Sequence, residues 1–159
     1  MIMPPTTPPL SAEAAAAVQR TLGELRTEFD VVTTEIPLAG RVMTMYHPRN
    51  ADALIDEEAF VMDERLPYWA DLWPSARVLA ERVAAMASDD RRFLELGCGV
   101  GLVSVAAAMA GFDVTATDYY DDAPRFTALN VLTNTGTLID TRAADWRRFP
   151  HDLGRFELR

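Results

Sequence analysis

Four β-prone residues, Phe93-Leu-Glu-Leu96, run without a spacer into Gly97-Cys-Gly-Val-Gly101, and few folds accommodate that junction. Glycine at alternate positions lets the turn take positive φ and lets a ligand approach the backbone with no Cβ in the way. Leu102 to Ala110 then reads as a small-residue apolar helix stopped by Gly111. Phe112, Val114 and Ala116 alternate with polar neighbours up to Asp118. The strand–helix–strand pattern repeats: Asp121 and Asp122 offer N-caps, Phe126, Leu129 and Leu132 share a helix face, Gly136 closes the helix, and Thr137 to Arg142 forms a third strand. Successive units of this kind require parallel strands with right-handed crossovers. The expected fold is therefore α/β, a Rossmann-like doubly wound parallel sheet whose ligand edge lies at the strand C-termini. A fourth strand begins at Arg155-Phe-Glu-Leu-Arg159.

Upstream, residues 1–10 are rich in Pro and Thr and read as a disordered, weakly anchored leader. Residues 11–66 form an extension and residues 67–159 the Rossmann-like domain. In the extension, Ser11 caps an Ala-rich helix running towards Phe29, and Val31–Ile36 and Arg41–Tyr46 flank a Pro-Leu-Ala-Gly40 turn as a hairpin. Residues 51–66 are acidic and suit a short surface helix and loop. From Pro74 to about Ala87 a helix carries Leu79, Val83 and Met86 as its apolar stripe.

The chain has 159 residues, enough to close one core and short of two. Apolar residues at 49% and charged residues at 25% place it among folded soluble proteins. The net charge is −9 and every basic residue is Arg, which disfavours nucleic acid and anionic membrane as partners. Cys98 is the lone cysteine and His47 and His151 stand far apart, so no metal site is expected. The N-terminus resembles neither a signal peptide nor a membrane span, and the expected location is the cytoplasm.

The carboxylates bear on the ligand. The dinucleotide fingerprint requires glycine at the sixth position of the turn, where this chain has Leu102. Glu95 precedes the turn, Asp118 ends the second strand and Asp145 follows the third, so parallel topology brings all three to one edge. Asp118 stands 21 positions after Gly97, the spacing of an acid that accepts from a ribose diol. Glu95 and Asp145 would repel a pyrophosphate and attract a cationic ligand, by roughly 1 kcal/mol per pair even with strong screening. S-adenosylmethionine, with its sulfonium and ammonium groups, is the better match. Taken singly, Glu95 could be a buried acid satisfied by backbone donors and Asp145 a turn cap; their joint placement favours a site.

Phe93-Leu-Glu-Leu-Gly-Cys-Gly-Val-Gly-Leu102, Thr117-Asp-Tyr119, Asn130 with Asn134, and Asp145-Trp146 together resemble the successive motifs of class I S-adenosylmethionine-dependent methyltransferases. Pro67-Tyr-Trp-Ala-Asp-Leu-Trp-Pro-Ser75 is similar to the segment before the glycine turn in the seven-strand protein-lysine methyltransferases, especially those that modify the electron-transfer flavoprotein β subunit. The resemblance covers residues 66–159. It implies that Glu95, Gly97, Gly99 and Gly101, with Cys98 between them, hold the methionine moiety, that Asp118 holds the ribose hydroxyls, and that Asp145 and Trp146 hold the adenine. Trp73 would line the same pocket and Tyr119 would lie along the adenine face. Trp69 is assigned to packing, Asn130 and Asn134 to tying down backbone, and Cys98 to its small size at a crowded turn, with no nucleophilic role.

Methyl transfer from a sulfonium requires the acceptor lone pair in line with the methyl carbon at about 3 to 3.5 Å, so positioning is most of the catalysis. The family's acceptor-side motif, an Asp followed about three residues later by a Tyr, lies after the fourth strand, and no catalytic residue is assigned here. The expectation is a fragment of a longer protein, with the first strand left unpaired on one flank. The expected acceptor is a protein lysine. A small-molecule N-methyltransferase and an inactive cofactor-binding partner subunit are the alternatives, and a nicotinamide dehydrogenase is disfavoured by Leu102 and the extra acids.

Overall fold

A computed structural model describes residues 8–156. The expected leader up to residue 7 and the expected fourth strand from Glu157 lie outside the described residues; residues 154–156 form no strand. α1 (Ala12–Glu28) starts where the Ser11 hydroxyl accepts the Ala14 N–H at 3.1 Å. Val18, Leu22 and Leu25 recur at helical spacing and are buried, and the helix packs on α5. The segment from Leu10 to Phe29 is thus firmly anchored. Leu10 reaches the core, Phe29 meets Trp69 and Phe126 edge-on, and Glu28 pairs with Arg125 at 2.6 Å.

β1 (Val31–Leu38) and β2 (Arg41–Pro48) form an antiparallel hairpin with Leu38 opposite Arg41. The turn is only Ala39-Gly40, both left-handed (φ 49° and 76°), the two-residue connection whose twist matches its strands. Pro37 and Leu38, expected in the turn, belong to the strand. α2 (Glu57–Asp63) is capped by the Asp56 carboxylate and buries none of its residues.

α3 (Pro74–Ala84) is shorter than expected, and its buried face is different. Ala80 and Val83 are buried while Leu79 and Met86 are exposed. α3 packs on α4 (Leu102–Met109), whose buried Val103, Ala106 and Ala107 are also small, so the close approach of the helices selects small side chains over Leu79.

β3 (Arg92–Leu96), β4 (Asp113–Asp118) and β5 (Asp140–Ala143) form a parallel sheet in the order β3-β4-β5. The α/β, Rossmann-like reading holds. β4 is the middle strand, and Val114 to Asp118 are all buried, so the alternation in its sequence does not divide core from solvent. α5 (Asp122–Thr135) buries Phe126, Leu129 and Leu132 and ends at Gly136 with φ 70°. Asp121 occupies the cap position without a side-chain cap bond, and Asp122 instead pairs with Arg125 at 2.9 Å. β5 starts at Asp140 rather than Thr137, leaving Leu138 exposed. Among the described residues β3 pairs with β4 alone. No helix of the described residues is long and apolar enough to cross a membrane. One continuous cluster of buried side chains joins α1, the hairpin, α3, α4, β4 and α5.

Candidate functional site

At the C-terminal ends of the parallel strands lies a cavity of about 480 Å³, a size suited to a cofactor-sized ligand. Its floor is the glycine turn. The N–H groups of Gly97 and Cys98 both donate to the Thr117 carbonyl, at 2.8 and 2.9 Å, which ties the turn to β4. A Cβ on Gly99 would lie 3.0 Å from the Trp69 carbonyl oxygen, and one on Gly101 would lie 2.8 Å from the Thr127 Cα. With φ of 54° and 91°, these positions require glycine for both space and conformation. Cys98 is buried, and burial pushes its thiol well above the ordinary range, so it stays protonated.

Asp118, at the end of β4, is buried and accepts from Gly99 N–H at 2.9 Å through one oxygen and from Tyr120 N–H at 3.1 Å through the other. Each carboxylate oxygen retains a lone pair for a further donor. Glu95 accepts a hydrogen bond from the Ser104 hydroxyl. Its carboxyl is pushed up to about 7, because burial disfavours the anion and the neighbouring Asp118 charge adds to that, while the Ser104 bond opposes it. α4 begins at Gly101 without a side-chain cap, and Leu102 and Val103 of its first turn line the cavity. An uncapped helix start presents N–H groups that favour a carboxylate.

Asp145 caps the short 3₁₀ turn Trp146–Arg148 by accepting the Arg147 N–H at 2.9 Å. The Arg147 guanidinium also grips it, Nε at 2.9 Å and Nη2 at 3.0 Å, and holds its carboxyl below the usual range. All three acids expected at the strand edge therefore line one cavity, but they are not three free charges. Glu95 is poised near neutrality and Asp145 is already paired. The expectation that Glu95 and Asp145 act on a ligand as free charges is corrected on that point.

Trp69 and Trp73 both line the cavity, although packing alone is expected of Trp69, and they do so in different settings. Trp69 is buried, with its ring against Phe29 and Phe126. Trp73 is half exposed, donates its Nε1–H to the Tyr68 carbonyl at 2.8 Å and stands edge-on to Tyr68 at the cavity wall. The Trp146 ring covers Gly97, within 3.2 Å of where a Cβ would be. Two guanidinium groups approach the Tyr119 ring, Arg65 at 4.7 Å and Arg147 at 5.5 Å from its centroid.

Trp73, Glu95, Gly97, Cys98, Gly99, Gly101, Asp118, Tyr119, Asp145 and Trp146 all line this cavity. Among the lining residues that sequence reasoning missed are Arg147, Tyr120, Leu66 and Tyr68. Arg147 could have been found, since it stands two residues after Asp145 and on the same turn. Tyr120, whose hydroxyl donates to the Leu66 carbonyl at 3.0 Å, gave no signal because its partner is 54 residues away.

A family model described as lysine methyltransferase matches residues 67–155, more than half of the chain. A putative methyltransferase-like protein 21E pseudogene of Homo sapiens is 44% identical over 55 residues, covering 32% of this chain and 20% of the relative. The protein-lysine methyltransferase METTL21E of Bos taurus is 42% identical over 55 residues, covering 32% of this chain and 19% of the relative. The chain thus spans about a fifth of the length of the curated relatives it matches, and neither name specifies an acceptor protein. With the glycine turn, the strand-end acids and the Trp-rich segment all inside the matched span, the chain belongs to the lysine methyltransferase family.

Proposed function

We propose that the cavity binds S-adenosylmethionine and that the chain carries the cofactor half of an enzyme that methylates a protein lysine nitrogen. One observation carries this reading: a single cavity combines an ionisable acid (Glu95), an uncapped helix start (α4) and a strand-end carboxylate with spare acceptor capacity (Asp118). A ligand with an ammonium, a carboxylate and a ribose diol matches that set, whereas a dinucleotide would use Asp118 for its ribose but bring its pyrophosphate up to an ionised Glu95 unfavourably. When bound, the cofactor supplies an electrophilic methyl on sulfur. Glu95 would hold the ammonium, the α4 start the carboxylate, Asp118 the ribose, and Asp145 and Trp146 the base. Trp73 and Tyr68 would wall the entrance and limit water. An acceptor lysine must lose its proton, which costs roughly 4 to 5 kcal/mol at pH 7 from a reference pKa near 10.4, and a dry channel lowers that cost. The cytoplasm, where a buried free thiol stays reduced, remains the proposed location.

The test is methyl transfer from radiolabelled S-adenosylmethionine to a cell extract, with and without protease. Label that enters protein and is recovered as methyl-lysine is the expected result. The chain contains no lysine, so such label reports the acceptor rather than the chain itself. Label confined to protease-resistant small molecules would move the acceptor to metabolites. Cofactor binding with no label anywhere would favour an inactive binding subunit.

A further inference from the structure

Asn130 and Asn134 lie one turn apart on α5, and both are buried. Their side-chain amides extend the hairpin as a neighbouring strand would. Asn134 accepts the Thr44 N–H at 2.9 Å and donates to the Thr44 carbonyl at 2.9 Å; Asn130 accepts the Tyr46 N–H at 2.7 Å and donates to the Tyr46 carbonyl at 2.8 Å. Here the two residues cease to be equivalent. Asn134 turns its remaining donor back to the Asn130 carbonyl, within its own helix, at 2.8 Å. Asn130 donates forward to the Val100 carbonyl of the glycine turn at 2.7 Å. One turn earlier, the Thr127 hydroxyl donates to the Gly99 carbonyl at 3.0 Å. α5 therefore holds two consecutive carbonyls of the turn from behind, and of the two residues that do so, Thr127 and Asn130, Asn130 is the one that also holds the hairpin.

We infer that Asn130 is a positioning residue for the cofactor cavity and that the α1–hairpin extension, which lies outside the matched span 67–155, acts through it as a strut for the glycine turn. The inference rests on the proposed cofactor reading for its ligand, and on hydrogen bonds alone for the strut. With the Val100 carbonyl fixed, the Val100–Gly101 peptide plane is fixed, and so is the angle at which α4 starts. A satisfied network of buried amides has few alternative arrangements. Coupling of this kind is reciprocal: if the hairpin steadies the turn, a ligand that steadies the turn must steady the hairpin.

The experiment compares Asn130→Ala, Asn134→Ala and Thr127→Val by hydrogen exchange and by titration with S-adenosylhomocysteine, at a temperature where each variant is folded. Asn134→Ala should speed exchange at Thr44 and leave affinity within about twofold. Thr127→Val should loosen residues 98–103 and weaken affinity while leaving the hairpin protected. Asn130→Ala should do both, with affinity down by about tenfold, the scale of one lost buried hydrogen bond. Should Asn130→Ala fail to fold, the unaltered chain still decides: saturating S-adenosylhomocysteine is expected to slow exchange at Thr44 and Tyr46. Equal affinity losses for the two asparagine variants, or no ligand protection at the hairpin, would overturn the strut. Absence of any S-adenosylhomocysteine binding would instead overturn the cofactor reading, and exchange at residues 98–103 in the unliganded variants would still test the strut.

Discussion

Two polar clusters flank the cavity and are built on opposite principles. Behind the glycine turn, Thr127, Asn130 and Asn134 are uncharged and buried, and each is hydrogen-bonded to a backbone group distant in sequence. At the mouth, Asp63, Arg65, Arg147 and Asp145 are charged and partly or largely exposed, and they pair with one another around Tyr119. Buried neutral amides are costly to leave unpaired, so removing one partner costs much of its desolvation. Exposed ion pairs gain little, because water and salt screen them. The difference implies that the rear cluster sets stability and shape while the front cluster tunes the entrance.

The largest effect that would sharpen this contrast is expected at Gly101. A Cβ there would lie 2.8 Å from the Thr127 Cα at φ 91°, so Gly101→Ala should cost about 3 kcal/mol or more in denaturant unfolding, through strain and overpacking together. Asn134→Ala should cost about 2 kcal/mol by the same measurement, since it leaves the Thr44 N–H and carbonyl without their partner. A loss below about 0.5 kcal/mol would erase the distinction between the rear and front clusters.

Glu95 lies between the two in both position and chemistry. Its carboxyl titrates near 7 in the folded chain against an ordinary 4.5, so the folded state holds a proton that the unfolded state has released. The resulting stabilisation is complete below about pH 4.5 and is lost as pH rises through 7, a change of up to about 3 kcal/mol that Glu95→Gln should abolish. A bound ammonium favours the ionised form, so ligand affinity should run the other way and improve about tenfold from pH 6 to pH 8. At the small end, Arg147→Ala should leave the melting temperature unchanged within error while raising the Asp145 carboxyl towards the ordinary range in an NMR titration, the residue-147 backbone N–H bond and the Arg148 charge still holding it down in part.

These contrasts also show what can be read from the residues. The strand, glycine turn and helix starting at Phe93 are local devices, and each alternate glycine does adopt positive φ. The acids at the strand ends follow from parallel topology, and all three reach the cavity. Features set by distant partners were not legible. The spacing of Asn130 and Asn134 pointed to backbone anchoring, but the strand they anchor lies 84 and 90 residues away. The apolar stripe on α3 was misplaced because the size of the facing residues on α4, rather than hydrophobicity alone, chose Ala80 over Leu79. The charge of Asp145 was overcounted although Arg147, which neutralises it, stands two residues away.

The central claim concerns which ligand the glycine-floored cavity accepts, and calorimetric titration of the chain with S-adenosylhomocysteine and with NAD at pH 8 tests it most directly. The account predicts one site for S-adenosylhomocysteine, abolished by Asp118→Ala, and no heat from NAD. Binding of NAD alone would contradict it.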